Sequence, residues 1–206
     1  MANKNCAVIV FAKAPNPGAV KTRLIPALGE IKAAKIYRSL MEKTLQTCRS
    51  AEFQNIELWC YPDADHPYFN NCWERFNTGL REQQGEDLGE RMWFALSRVL
   101  SRFRYGIIVG CDCPELSADD LITGAEKLEA GYDTVIGPSV DGGYYLLGSN
   151  QDSRDLFTDI SWGTASVYSE TMERIRKLNL SCYELPEHYD IDRPEDLERW
   201  EIGNGK

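Results

Sequence analysis

No stretch of this 206-residue chain approaches the roughly 20 consecutive apolar residues that a membrane-spanning helix needs, so no membrane span is expected. Histidine is nearly absent: only His66 and His188 occur, and neither has a matched serine or cysteine neighbour. There is no G-x-S-x-G elbow, no Walker A sequence and no G-x-G-x-x-G, which disfavours a covalent hydrolase and a dinucleotide dehydrogenase. Positive charge is also in short supply. The chain has 23 Lys and Arg against 32 Asp and Glu, a net charge of −9, with no basic cluster outside one loop. Nucleic-acid and membrane-surface binders usually show a basic face, so neither partner is expected.

Seven cysteines are present, but only Cys111 and Cys113 are close, and they form C-x-C rather than a zinc-type C-x-x-C. Both histidines are remote from them in sequence, which argues against zinc. Most of the cysteines fall in apolar patterns, as expected of reduced core thiols in a cytoplasmic protein. Lys4 followed by a short apolar run imitates a signal peptide. The run is too short, and Pro15 would follow the supposed cleavage point, so it reads as a first strand.

What the chain does have is an ordinary globular balance, 43% hydrophobic and 27% charged, spread without linker or repeat over residues 1–206. One α/β domain is expected. Residues 6–11 are a continuous apolar run, as in a strand covered on both faces. The spacing predicts helices over 30–50, 67–76, 87–103, 117–129 and the latter part of 161–178, with a further helix start at Pro194. Between them, 56–61, 78–84, 106–110, 133–137, 144–148 and 181–185 read as strands. This alternation predicts a doubly wound, mostly parallel sheet. In such sheets ligands bind beyond the carboxyl ends of the strands.

Four strand-end segments could carry chemistry. In Phe11–Leu24, FAKAPNPGAVKTRL, Pro15, Pro17 and Gly18 forbid regular structure, yet Lys13, Lys21 and Arg23 gather there. A cationic loop in an acidic chain suits an anion, phosphate above all, or it is simply a solvated loop. Asp112 follows the strand GIIVG and precedes Pro114. It suits Mg²⁺ or Mn²⁺, which take carboxylate oxygens and substrate phosphates, or it caps a turn. Asp190 and Asp192 alternate with Ile191, so in extended backbone they share a face, and one of them could join Asp112 at a metal. Asp192 could equally cap the helix that follows. Asp141-Gly142-Gly143-Tyr144 is a hairpin turn that could also touch substrate. Gln84, Gly85 and Gly89, with Arg91, could contact a base or punctuate a helix start.

FAKAPNPGAVKTRL, QGEDLGERM, GCDCPEL, GPSVDGGYYLLG and the F-x-x-I-x-W-G-T run of 157–164 together resemble the DUF2064 family of the nucleotide-diphospho-sugar transferase superfamily. The resemblance spans roughly residues 6–200 and implies a GT-A-type fold and a glycosyltransferase. It implies that Phe11, Ala12, Lys13, Lys21 and Arg23 cradle nucleotide phosphates, with Gln84 and Gly89 nearby. It further implies that Asp112 and Asp192 hold Mg²⁺ or Mn²⁺, and that Asp141, Gly142, Gly143 and Tyr144 face a small-molecule acceptor. Asp112, Lys21 and Asp141 are the expected catalytic residues. Two departures bear on the reaction. Many GT-A enzymes carry Asp-x-Asp, whereas position 114 is proline. The cationic loop also resembles that of nucleotidyltransferases. Nucleotidyl transfer from an NTP and a non-catalytic nucleotide binder therefore stand beside glycosyl transfer. Donor base, acceptor and oligomeric state are not encoded in any motif.

Overall fold

A computed structural model describes residues 4–203, with side chains to residue 200. Among these, seven strands form one sheet in the order β3-β2-β1-β4-β6-β5-β7. They are β1 (Cys6–Lys13), β2 (Ile56–Tyr61), β3 (Gly79–Glu82), β4 (Tyr105–Val109), β5 (Thr134–Pro138), β6 (Tyr144–Ser149) and β7 (Cys182–Glu184). Only β6 runs antiparallel, to both β4 and β5, because a short turn returns the chain from β5 beside itself. The fold is a mixed, mostly parallel α/β sheet, as the alternation predicts.

The helices are α1 (Ile25–Leu28), α2 (Glu30–Ser50), α3 (Pro67–Phe76), α4 (Leu88–Leu100), α5 (Ala118–Glu129), α6 (Val167–Lys177) and α7 (Pro194–Gly203). Their apolar stripes cover both faces of the sheet. On one face, Val8, Val10 and Ala12 of β1 meet Met41 and Leu45 of α2, Phe69 of α3 and Leu121 and Leu128 of α5. On the other, Ala7 and Ile9 meet Met92, Leu96 and Val99 of α4 and Ile175 of α6. Alternate residues of one strand thus feed two cores, which is why β1 reads as unbroken apolar sequence. A smaller cluster of Leu24, Leu40, Tyr189 and Ile191 seats Leu197 and Trp200 of α7.

Local signals explain the boundaries. Ser117 and Asp120 form a reciprocal capping box at α5. Asp87 accepts from Glu90 N–H and starts α4. Strand β1 continues two residues past the apolar run, to Lys13, because pairing with β2 persists as far as Tyr61. The first loop is irregular through its prolines, then tightens into a 3₁₀ turn at Thr22–Leu24.

No helix among the described residues is long and apolar enough to cross a membrane. All seven cysteines are free thiols, six buried and Cys182 partly so.

Candidate functional site

A cleft of about 1030 Å³ lies beyond the carboxyl ends of β1 and β4. Its floor is Phe11, Ile108 and the Gly110–Asp112 turn. These residues leave the sheet together because β1 and β4 pair in register, Ile9 with Ile108 and Val10 with Val109.

Lys21 is the centre of the cationic side. It has φ 48° and ψ 43°, a left-handed conformation that costs a non-glycine residue about 1–2 kcal/mol. The turn aims its side chain inward, where it is only 4% exposed. Its ammonium lies 2.5 Å from Asp112 Oδ1 and donates to the carbonyl of Ile191. That Asp112 oxygen is itself buried and receives no aligned hydrogen bond. A backbone bond from Ile191 N–H to Asp112 O, 2.9 Å, ties the 112 turn to the segment carrying Asp190 and Asp192.

The two late aspartates have different surroundings. Asp190 is partly buried and accepts from Ser139 Oγ at 3.1 Å. Burial, reinforced by the charges of Asp112 and Asp141, pushes its pKa up to about 7. Asp190 therefore belongs with Asp112 and Asp141 in one electrostatic neighbourhood. Asp192 instead pairs with Arg23. At the start of α7, Asp196 accepts from the N–H groups of Asp192 and Arg193 at 3.0 and 2.7 Å.

The other expected residues divide. Phe11, Ala12, Lys13, Arg23, Asp141, Gly143, Tyr144 and Asp192 all line the cleft. Gln84, Gly89 and Gly142 stand outside the lining. Gln83 takes the place expected of Gln84, its amide donating to Trp59 O at 2.8 Å and Ala12 O at 3.4 Å. Gly89 is a packing contact, since a Cβ there would lie 2.6 Å from Trp162 Nε1. Gly142 has φ 88°, and a Cβ on it would fall 2.2 Å from Ala165 O. Both glycines hold the 161–166 loop against the body of the protein. Asp141 Oδ1 accepts from Gly143 N–H at 2.9 Å, closing the turn.

Several lining residues had no signal that a sequence could show. Arg193, just before α7, and Arg199 within it join Arg23 on the cationic wall. Arg199 stacks on Tyr189, 3.9 Å from the ring centroid. Arg91, expected near a base together with Gln84, Gly85 and Gly89, does line the cleft and stacks on Tyr61 at 4.1 Å. Trp162 was visible only as part of a family motif, yet it forms part of the opposite wall with Leu88 and Met92.

A divalent cation fits these residues in a limited sense. Among the described residues no group of three or more acidic, histidine or cysteine side chains could hold a metal unaided. Mg²⁺ and Mn²⁺ usually bind through one or two carboxylates completed by substrate phosphates and water. Asp112, whose buried Oδ1 is paired with Lys21, and Asp190 both line the cleft and supply carboxylates for that kind of partial site.

This sheet order and strand-end cleft define the fold class of the nucleotide-diphospho-sugar transferases, which glycosyl- and nucleotidyltransferases share. The chain belongs to the family described as "Uncharacterized protein conserved in bacteria (DUF2064)", which it matches over residues 44–164. It is 33% identical to a candidate nucleotide-diphospho-sugar transferase from Desulfovibrio desulfuricans G20, with a TM-score of 0.89 over 98% of this chain and 88% of that one. Two more distant structures share the fold. A cytidylyltransferase from Leptospira borgpetersenii matches at 12% identity and a TM-score of 0.67, over 98% of this chain and 88% of that one. Glucosyl-3-phosphoglycerate synthase from Mycobacterium tuberculosis, solved with Mn²⁺ and UDP, matches at 10% identity and 0.59, over 96% and 76%. No curated protein sequence matches the chain.

Proposed function

We propose that this protein is a divalent-metal-dependent transferase that takes a glycosyl group from a nucleotide-diphospho-sugar to a small acceptor. The observation that carries the proposal is the convergence of a buried Lys21 ammonium, Asp112 and Asp190 at the carboxyl ends of β1 and β4. Cations and carboxylates together suit a diphosphate and its metal better than either alone. The 33% identical relative, a candidate nucleotide-diphospho-sugar transferase, supports the donor class.

Lys13, Lys21 and Arg23 would bind the diphosphate and offset its charge. Asp112 and Asp190 would hold Mg²⁺ or Mn²⁺, which supplies Lewis-acid stabilisation of the leaving diphosphate. Asp141 has its Oδ1 engaged by Gly143, and Oδ2 would accept a hydrogen bond from the acceptor hydroxyl. The acceptor oxygen would bond to the anomeric carbon as the bond to the diphosphate oxygen breaks. The nucleoside diphosphate would leave with that electron pair, and the hydroxyl proton would pass to the Asp141 carboxylate. The free thiols suit a reducing cytoplasm.

One observation favours a second reading. Lys21 comes from the first loop, and position 114 is proline, so the Asp-x-Asp pattern of many GT-A enzymes is missing. The same residues could bind an NTP for attack by a phosphorylated acceptor, with pyrophosphate leaving. Incubation with Mn²⁺ or Mg²⁺, panels of nucleotide-sugars and NTPs, and a metabolite extract as acceptor separates the two. Mass spectrometry should find a released nucleoside diphosphate and a glycosylated product. Pyrophosphate released from an NTP would replace glycosyl with nucleotidyl transfer. Nucleotide binding with no product under any metal would leave a silent binder.

A further inference from the structure

The two sides of the cleft differ in chemistry because they come from opposite faces of the sheet. Lys21, Arg23, Arg193 and Arg199 come from the side where Leu24, Tyr189 and Ile191 seat α7. The other wall is built on the α4 core, with Met92, Tyr144 and Trp162 in its cluster; Leu88 precedes the Gly89 that packs on Trp162, and Val140 lies on the β5–β6 turn whose Gly142 packs on Ala165 of the Trp162 loop. Of the four exposed large hydrophobic residues among those described, Leu88 at 42% and Val140 at 60% both line this one cleft. A soluble chain leaves such residues exposed together at some cost unless a ligand covers them.

The wall is prebuilt. Glu170 of α6 accepts from Ser161 N–H at 2.6 Å and from Ser166 Oγ at 2.8 Å, fixing both ends of the loop that bears Trp162. Tyr168 N–H donates to Gly142 O at 2.8 Å, tying the loop's exit to the β5–β6 turn. Gly89 lets the indole lie flush on the first turn of α4, with part of its surface in the cleft.

Charge says what would be covered. Asp141 is the charged group beside this wall. Arg91, the nearby cation on α4, is drawn away by Gly85 O at 3.0 Å and by the Tyr61 ring. An anionic ligand would meet a carboxylate here without a partner. A nucleobase has polar groups elsewhere, at Gln83 and Arg91 beyond β3.

We propose that the Trp162–Leu88–Val140 wall is the acceptor subsite, and that it takes an uncharged hydroxyl compound with an aromatic or apolar face rather than a phosphorylated or polyhydroxy one. This rests on the transferase reading for its role, but the surface can be tested separately. Binding of 4-hydroxyphenylethanol, glycerol and glycerol 3-phosphate would be measured by calorimetry or ligand-observed NMR, and binding of UDP with Mn²⁺ in parallel. Wild type would be compared with Trp162→Leu, Trp162→Phe and Val140→Asp. Val140 is too exposed for its replacement to unfold the protein.

The aromatic alcohol should bind most tightly. Trp162→Leu and Val140→Asp should each weaken it about tenfold, the scale of one lost aromatic or apolar contact. Trp162→Phe should keep most of the affinity, and UDP binding should not move. Unchanged alcohol binding in the variants would overturn the proposal, as would tighter binding of glycerol or glycerol 3-phosphate at this wall. Loss of UDP binding in Trp162→Leu with the alcohol unaffected would make Trp162 a base-stacking residue and overturn it too. Failure of UDP with Mn²⁺ to bind wild type would defeat the transferase reading for a uridine donor, while the alcohol result still decides the wall.

Discussion

Lys21 Nζ lies 2.5 Å from Asp112 Oδ1, a buried contact between residues 91 positions apart in a chain of net charge −9. Neither group is there for packing alone. The lysine is held in a left-handed turn, and its ammonium is the charge partner of a buried Asp112 oxygen. Removing the cation takes from Asp112 its ion-pair partner beside Asp141 and Asp190. Lys21→Met should therefore lower turnover by about 10²-fold or more, the scale of losing one preorganised electrostatic contact. Lys21→Arg should not rescue it, because a planar guanidinium does not fill the place of a compact ammonium. Asp112→Asn should act similarly while keeping a normal melting temperature. Steady-state kinetics with a thermal melt checks each, and full activity in Asp112→Asn would remove it from the site.

Asp190 and Asp192 point to opposite consequences although a single residue separates them. Asp190 shares a neighbourhood with Asp112 and Asp141, and Asp192 pairs with a largely exposed Arg23. An exposed pair is worth about 0–1 kcal/mol. Asp190→Asn should weaken Mn²⁺-dependent activity about tenfold or more, whereas Asp192→Asn should change it by only about twofold to threefold. A Mn²⁺ titration of activity in both variants reads this directly. The reverse ranking would restore Asp192 as the ligand.

Much of this was legible in the sequence where one local rule acted alone. The 21-residue α2 follows from its periodicity, α5 from Ser117 and Asp120, and the sheet from alternation of apolar runs with helices. The cationic loop and Asp112 were visible because charge and proline stand out at strand ends. Long-range partners were not. Nothing at position 190 or 192 says that one meets Ser139 and the other Arg23. Glycines misled for a physical reason: Gly89 and Gly142 are required by close packing against Trp162 and Ala165, and a contact with a ligand would leave the same residue type. Trp162 looks like any core tryptophan until the loop that carries it is placed against α4.

Those glycines make a graded prediction. Gly29 has φ 77° and ψ 159° with open space around it, so Gly29→Ala should cost about 1–3 kcal/mol from backbone strain alone. Gly142→Ala adds a backbone clash with Ala165 to a similar strain, so it should cost about 1–3 kcal/mol more. Urea unfolding of both variants measures the difference. Because the clash displaces the 161–166 loop, Gly142→Ala should also lower activity at temperatures where it remains folded. Equal destabilisation by the two changes would mean that the loop yields freely.

Asp133 provides a pH test away from the cleft. Its carboxylate accepts from Ser181 N–H and Oγ at 2.9 and 2.7 Å and from Gln151 Nε2 at 3.2 Å, fastening the start of edge strand β7 to β5. The Ser181 backbone and hydroxyl donors, helped by Gln151, favour the charged form and hold its pKa below the ordinary aspartate value of 3.8. The folded state then binds this proton less readily than the unfolded chain does. The stabilisation is complete above the unfolded pKa and is lost as pH falls through the lower, folded one. Asp133→Asn should thus lower the melting temperature at pH 7 by a few degrees, for a loss of about 1 kcal/mol on a half-buried group. The gap between variant and wild type should narrow as the pH drops from about 5 toward 2, since both then carry a neutral group at this position. Thermal melts across that range decide it, and a gap independent of pH would show that the charge of Asp133 is not what fastens β7.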